Sequence, residues 1–406
     1  MLRFSHPINL PAIALVIAAL TYTAALCFVN THASRVSNDL IAIVDGAIVL
    51  SALGMAMLAP RRGLWIMLLA LAVNFLLIAL LANEFNLKAV RDPLVLIAFV
   101  ALGQRFGGAR MAQTAFLVAS AIVVPIALLE LLAPALYTQI FDVLRYYMGR
   151  GLVSAEEAQY QTSAFFISGE RGDGRFLTSF FGAHRASSVF LEPVSMGNFG
   201  ALAAAFALSL EPRRWRLAAA LGAVAAFSII ASDARFAATV VVLFALSRFL
   251  PTKWTVLALA PLPLVAVAIL IGVSYAAPEV GDNFLSRLSL SGRLLTEFDL
   301  DQLFGLAPNS LTTVDSGYAY ALASLGLPMC VLLWGAFVGI PTPSREAARY
   351  KLMLGVYACA LLCISGSSLF ALKTAGLGWF ALGALAGLQT ESRRVMGRAV
   401  TRTAPA

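Results

Sequence analysis

The chain has 406 residues, 60% of them hydrophobic and 12% charged, with a mean hydropathy of +0.85. A soluble domain carries about 25% charged residues, so a water-soluble globule is excluded. The net charge of +8 would suit a nucleic-acid binder, but the excess lies in short connections between apolar runs and at the two termini and leaves no nucleic-acid footprint.

The apolar runs are roughly 16–25 residues long, which suits membrane helices rather than barrel strands of about 10. Lipid offers no hydrogen bonds to the backbone, so each run must satisfy its own amides as a helix. The expected fold class is all-α, a polytopic membrane protein of about twelve transmembrane helices forming one integral membrane domain over 1–406.

The predicted helices, in order, are Ile8–Val29, Asp39–Ala59, Leu64–Ala82, a short Pro93–Gly103, and Thr114–Ala133. The first lacks an A-x-A-like cleavage site and is read as a retained helix. A long loop, 134–185, follows; it contains YYMGRG, SAEEAQYQ and GERGDGRF. Next come Ser187–Leu210 and Leu217–Ile230. A four-residue polar break, Ser232-Asp233-Ala234-Arg235, leads to Phe236–Leu250, and Trp254–Tyr275 follows. A second long loop, 276–315, precedes Ser316–Ile340, Leu352–Ser365 and Phe370–Leu388.

Lys and Arg in the connections set the orientation. With the N-terminus in the cytoplasm, the cytoplasmic connections hold Arg61, Arg62, Arg105, Arg110, Arg213, Arg214, Arg216, Arg248, Lys253, Arg345, Arg349 and Lys351. Arg3 and the tail's Arg393, Arg394, Arg398 and Arg402 join them, opposed only by Glu211, Glu346 and Glu391. Both termini are therefore expected in the cytoplasm. Both long loops, the Asp233–Arg235 break and Asp315 are expected on the opposite surface.

That surface gathers the residues with chemistry. Arg235 sits between two helices with almost no loop, which holds a cation at headgroup level. Arg287 and Arg293 lie in the second loop. Asp315 stands at the entry of a membrane helix, where the helix dipole favours a carboxylate and where it could accept a proton from a sugar hydroxyl. His184 and Arg185 precede Phe190-Leu191-Glu192-Pro193, whose proline makes the turn irregular. Asp45 is a lone acid inside the second helix and a functional candidate by default. The cysteines (Cys27, Cys330, Cys359, Cys363) lie in apolar runs with no histidine nearby, so neither a metal site nor a disulfide framework is expected. The GERGDGRF run lacks the G-K-[ST] of a phosphate-binding loop. The Gly383-x-x-x-Gly387 spacing predicts close helix packing.

Three stretches carry a resemblance. They are IIASDARFAATVVVLFAL at Ile229–Leu246, LSGRLL at Leu290–Leu295, and DSGYAYALASLGLPM at Asp315–Met329. In order, spacing and sidedness they resemble the O-antigen polymerase and O-antigen ligase superfamily of bacterial envelope glycosyltransferases. Arg185…Phe190-Leu191-Glu192-Pro193…Gly197 is similar to a stretch of related exopolysaccharide polymerases. The resemblance implies a GT-C-like fold in the bacterial inner membrane. It also implies transfer of a glycan from a polyprenyl-pyrophosphate-linked oligosaccharide on the periplasmic side, with neither cofactor nor metal. A flippase and a chain-length regulator are the implied partners. Arg235 and Arg293 would hold the departing pyrophosphate. Asp315 would be base or acceptor-orienting group, with Glu192 as its rival. Arg185, Arg287, Tyr318 and His184 would bind substrate. Asp233-Ala234 separates a Ser–Arg pair that the ligases keep adjacent, and Asp315 stands where the ligases have a histidine; the second departure favours a polymerase over a ligase. A transporter or glycolipid flippase is the competing class, with Asp45 in its favour, although no inverted repeat is evident.

Overall fold

The computed structural model describes residues 9–83, 86–154, 177, 184–276, 284–306 and 316–387. Every regular element among them is helical. Six helices are long and apolar enough to cross a membrane: Leu10–His32 (α1), Asn38–Met57 (α2), Arg62–Ala82 (α3), Ala109–Leu132 (α5), Trp215–Ala231 with its leading turn (α9), and Gly317–Gly339 (α15). A bent pair, Arg235–Ser247 (α10) and Thr255–Leu259 (α11) with its leading turn, meets the same criteria together, with 113° between its arms. Leu87–Arg105 (α4), Pro193–Ser209 (α8), Leu262–Ala276 (α12), Arg345–Leu362 (α16) and Leu372–Ala386 (α17) complete the bundle. This is a multi-pass membrane protein.

The helices begin where their caps dictate. Asn9, Ser37, Ser316 and Ser344 each accept a backbone N–H from the first turn of the helix they precede, the usual way to satisfy an orphan donor. The same rule corrects the short helix predicted at Pro93–Gly103. Asn86 caps Ala89, so α4 starts at Leu87 and takes Pro93 into its interior.

Three further differences have physical causes. The predicted helix Trp254–Tyr275 is interrupted between Leu259 and Leu262, where Pro261 and Pro263 remove backbone donors. The helix after Ser316 is broken at Gly326, whose φ of 73° and ψ of 155° only glycine adopts readily. Pro328 cannot bond back across that break, and Asn74 of α3 donates to the freed carbonyl of Leu325 at 3.0 Å. The segments expected as long loops are partly helical: Pro134–Ile140 (α6) and Val143–Gly149 (α7) open the first, while Phe284–Thr296 (α13) and Leu300–Leu303 (α14) lie within the second. The GERGDGRF run lies outside the described residues.

Close packing runs through glycine. A Cβ on Gly103 would collide with the carbonyl of Phe380, and one on Gly383 with that of Val100. The α4 and α17 backbones thus touch, as the Gly383/Gly387 spacing predicts. Phe116 stacks on Phe206 at 4.7 Å in the core. At the periphery α3 exposes Trp65, Ile66, Leu69, Leu76 and Leu80, a surface suited to lipid.

The basic connections meet at one end of the bundle. Arg61 donates to the carbonyl of Gln104, Arg214 pairs with Glu346 at 3.4 Å, and the amide of Gly108 bonds the carbonyl of Ala384. Arg248 caps the carbonyl of Leu208, and Lys351 caps those of Val338 and Ile340. The residues with candidate chemistry gather at the opposite end.

Candidate functional site

A strap of nine residues, 184–192, crosses this opposite end between α7 and α8. It contains a single turn of 3-10 helix, Ser188–Phe190, and stops at Pro193, which begins α8. Ser188 (φ 52°) and Leu191 (φ 59°) are left-handed non-glycine residues, as is Asp233 (φ 48°) in the facing break. Such conformations cost of order 1–3 kcal/mol each and persist only where surroundings over-determine them.

Here the surroundings include polar groups from four helices. Glu130 of α5 is fully buried and accepts from the amides of Ser187 (2.8 Å) and Ser188 (2.6 Å) and the hydroxyl of Ser187 (2.9 Å). His184 Nε2 lies 3.0 Å from the same carboxylate. Tyr137 of α6 donates to the carbonyl of Ser188 at 2.8 Å, and Thr23 of α1 to that of Val189 at 3.3 Å. From α17, Lys373 donates to the carbonyl of Phe190 at 3.0 Å and to Glu192 Oε2 at 2.7 Å.

Glu192 precedes α8 and collects two further donors, Tyr147 OH at 2.9 Å and Ser195 Oγ at 3.0 Å. Burial would raise its carboxyl, but the Lys373 ammonium and the two hydroxyls outweigh that and hold it below the ordinary value of 4.5. Arg150 lies 5.4 Å over both the Tyr146 and Tyr147 rings, a cation–π arrangement beside this carboxylate.

The strap is tied to the Ser232–Arg235 break between helices. Arg185, buried, donates from Nε to the carbonyl of Ser232 at 2.9 Å, and the Ala186 amide bonds the carbonyl of Ala231 at 2.9 Å. Asp233 is buried and accepts from the amide of Leu177 at 2.8 Å. Arg235 is the first residue of α10 and is exposed.

Arg293 is carried by α13, which packs along α12. Gly292 lies so close to α12 that a Cβ there would collide with the carbonyl of Leu270. Ser291 donates to the carbonyl of Cys363 at 2.7 Å, and Gly317 packs on Leu362 and Ser365. The Gly292-Arg293 element and the first turn of α15 therefore meet on the same end of α16. Arg293 pairs with Glu297 at 2.9 Å with both side chains more than half exposed, an ion pair of little stabilising value. Arg287 is exposed on the same helix. Tyr318 is buried beside Cys359 and Cys363. Asp315 lies outside the described residues.

A second polar cluster lies alongside, between α2, α4 and α15. Arg91 bonds Asp45 Oδ2 from Nη1 at 3.1 Å and Asp92 Oδ1 from Nε and Nη2 at 2.9 and 2.5 Å. Tyr320 donates to Asp92 Oδ2 at 2.6 Å, and Lys88 lies 4.8 Å over the Tyr320 ring. Asp45 is therefore half of an ion pair, not the lone acid its sequence context suggests.

The arrangement thus joins Arg185, His184 and Glu192 to the Ser232–Arg235 break, and separately joins the Arg293 helix to the α15 entry. Sequence reasoning missed Glu130, Lys373, Tyr147 and the Arg91–Asp92 pair. Glu130 and Lys373 carried the available signal: each is one charge inside an otherwise apolar run, where an ionisable group is rare and paired. No family model matches the chain, and neither a curated protein nor a solved structure is significantly similar to it.

Proposed function

We propose that the protein is a glycan polymerase. It would join polyprenyl-pyrophosphate-linked oligosaccharide units into a surface or exported polysaccharide on the periplasmic side of the inner membrane. On this reading the bundle crosses the membrane about twelve times with a GT-C-like arrangement and both termini in the cytoplasm. The observation that carries it is the Arg185–Ser232 bond. It links the Arg185–Gly197 stretch to the Ser232–Arg235 break, two of the stretches that carry the resemblance to envelope glycosyltransferases. A guanidinium and a carboxylate carried on one strap, Arg185 and Glu192, suit a donor with an anionic leaving group and an acceptor with a hydroxyl.

In the reaction an acceptor hydroxyl attacks the anomeric carbon of the donor. A new glycosidic C–O bond forms as the C–O bond to pyrophosphate breaks, and polyprenyl pyrophosphate leaves. Arg235 and Arg293, with Arg185, would meet the growing phosphate charge through bidentate guanidinium contacts. Such stabilisation counts most where charge develops in the transition state. The acceptor's proton needs a base. Glu192 already receives three donors and its basicity is lowered, which suits an orienting role better than that of a base; Asp315 is the remaining candidate for the base.

The same chemistry with lipid A core as acceptor is a ligase, and Asp315 at the histidine's place weighs against it. The Asp45–Arg91–Asp92 cluster is the observation that favours a transporter or lipid-linked glycan flippase. Release of polyprenyl pyrophosphate by purified protein separates these. Release from a lipid-linked oligosaccharide alone supports a polymerase, and release only with lipid A core supports a ligase. Movement of the lipid across liposomes without release contradicts both.

A further inference from the structure

We propose that Glu130 and Lys373 are positioning residues that clamp the 184–192 strap near its two ends and so set Arg185 and Glu192 as one unit. The inference rests on the polymerase reading above, but neither residue belongs to any stretch that carries the resemblance.

The strap is held against its own backbone preference. Two of its nine residues, Ser188 and Leu191, are left-handed without being glycine. The Glu130 carboxylate is aimed at the first of these: its four donors come from His184, Ser187 and Ser188. The Lys373 ammonium brackets the second, bonding the carbonyl of Phe190 on one side of Leu191 and the carboxylate of Glu192 on the other. Both charges are at least nine-tenths buried, and a buried charge is retained only where partners compensate it. Arg185 follows His184, and Glu192 follows Leu191. Each candidate side chain is thus one residue from a clamped position. Relaxing either end would let Ser188 or Leu191 return to an ordinary conformation and would shift the strap that carries Arg185 and Glu192. Lys373 also donates directly to Glu192, so it acts on that carboxylate by two routes.

Positioning predicts a loss of turnover in protein that still folds and still binds donor. Lys373→Met should lower kcat for extension of a polyprenyl-pyrophosphate-linked oligosaccharide by 10- to 100-fold, with KM changed less than threefold. Lys373→Arg should recover part of the loss by restoring the ammonium's charge and donors. In a double variant, Lys373→Met with Glu192→Gln should be no slower than the slower single variant, because Lys373 acts through Glu192. Glu130→Gln should speed amide exchange at Ser187 and Ser188. Unchanged exchange at Ser187 and Ser188 would overturn the Glu130 half of the clamp; should Glu130→Gln fail to accumulate, Glu130→Asp, which keeps the charge but shortens its reach, is read in the same way. An active wild type whose Lys373→Met variant keeps full kcat would overturn the positioning role alone, as would multiplicative losses in the double variant. An inert wild type would overturn the polymerase reading, and this inference with it.

Discussion

Arg185 and Ser232 are joined by a 2.9 Å hydrogen bond from guanidinium Nε to carbonyl oxygen, across 47 residues of sequence. Arg185 is buried, and it reaches the break between α9 and α10 that ends in Arg235. The bond makes a cation from one strap part of the structure of another. Truncating Arg185 to alanine would leave a buried carbonyl short of a donor, at a cost of about 1–3 kcal/mol. Arg185→Ala should therefore lower the melting temperature in detergent as well as activity. Arg185→Lys should keep most of the stability and lose activity at least tenfold. Equal activity in Arg185→Lys and wild type would assign the residue to folding alone.

The Glu192–Lys373 pair should make stability pH-dependent in a specified direction. The Glu192 carboxyl is lowered from 4.5 in the folded protein. Its contribution is therefore complete above that value and is lost as pH falls through the folded-state pKa, because the unfolded state binds the proton first. The melting-temperature gap between wild type and Glu192→Gln should be constant from pH 7 to pH 5 and shrink below the ordinary value. A gap that widens in acid would contradict an ionised Glu192.

Gly292 lets α13 lie against α12, and the Arg293 side chain depends on that contact. Gly292→Ala places a Cβ on the carbonyl of Leu270, and overpacking of this kind costs about 1–3 kcal/mol. The variant should lose thermal stability and turnover together. Arg293→Lys, at an exposed position, should lose turnover with no change in melting. A Gly292→Ala variant with unchanged melting would show that α13 does not pack as described.

Asp45→Asn distinguishes chemistry from coupling. Arg91 keeps two bonds to Asp92 without it, so glycan extension should fall no more than about threefold, which is under 1 kcal/mol of barrier. Loss of lipid movement across liposomes in this variant, with extension absent in wild type, would favour the flippase reading.

That apolar helices build the chain was legible because hydropathy is a local signal. Asn86, Pro261 and Gly326 then decide where helices start or break. The first was read past because Pro93 is the louder start signal. The other two act through backbone donors and φ angles that hydropathy averages away. In the site, Arg185, Arg235 and Glu192 stood out because each marks a break between helices. Glu130 and Lys373 did not, because their partners are 57 and 181 residues away, in the strap. The local pattern, one charge in an apolar run, marks such a residue but does not say which distant segment it holds.

Glycan length measured on purified protein bears most directly on the polymerase reading. Wild type supplied with a polyprenyl-pyrophosphate-linked oligosaccharide should give a ladder of lipid-linked glycans spaced by one repeat unit. Arg235→Ala should leave the substrate at its starting length while melting at the wild-type temperature. A wild type that leaves the substrate unextended, or an Arg235→Ala variant that makes the same ladder, would contradict the account.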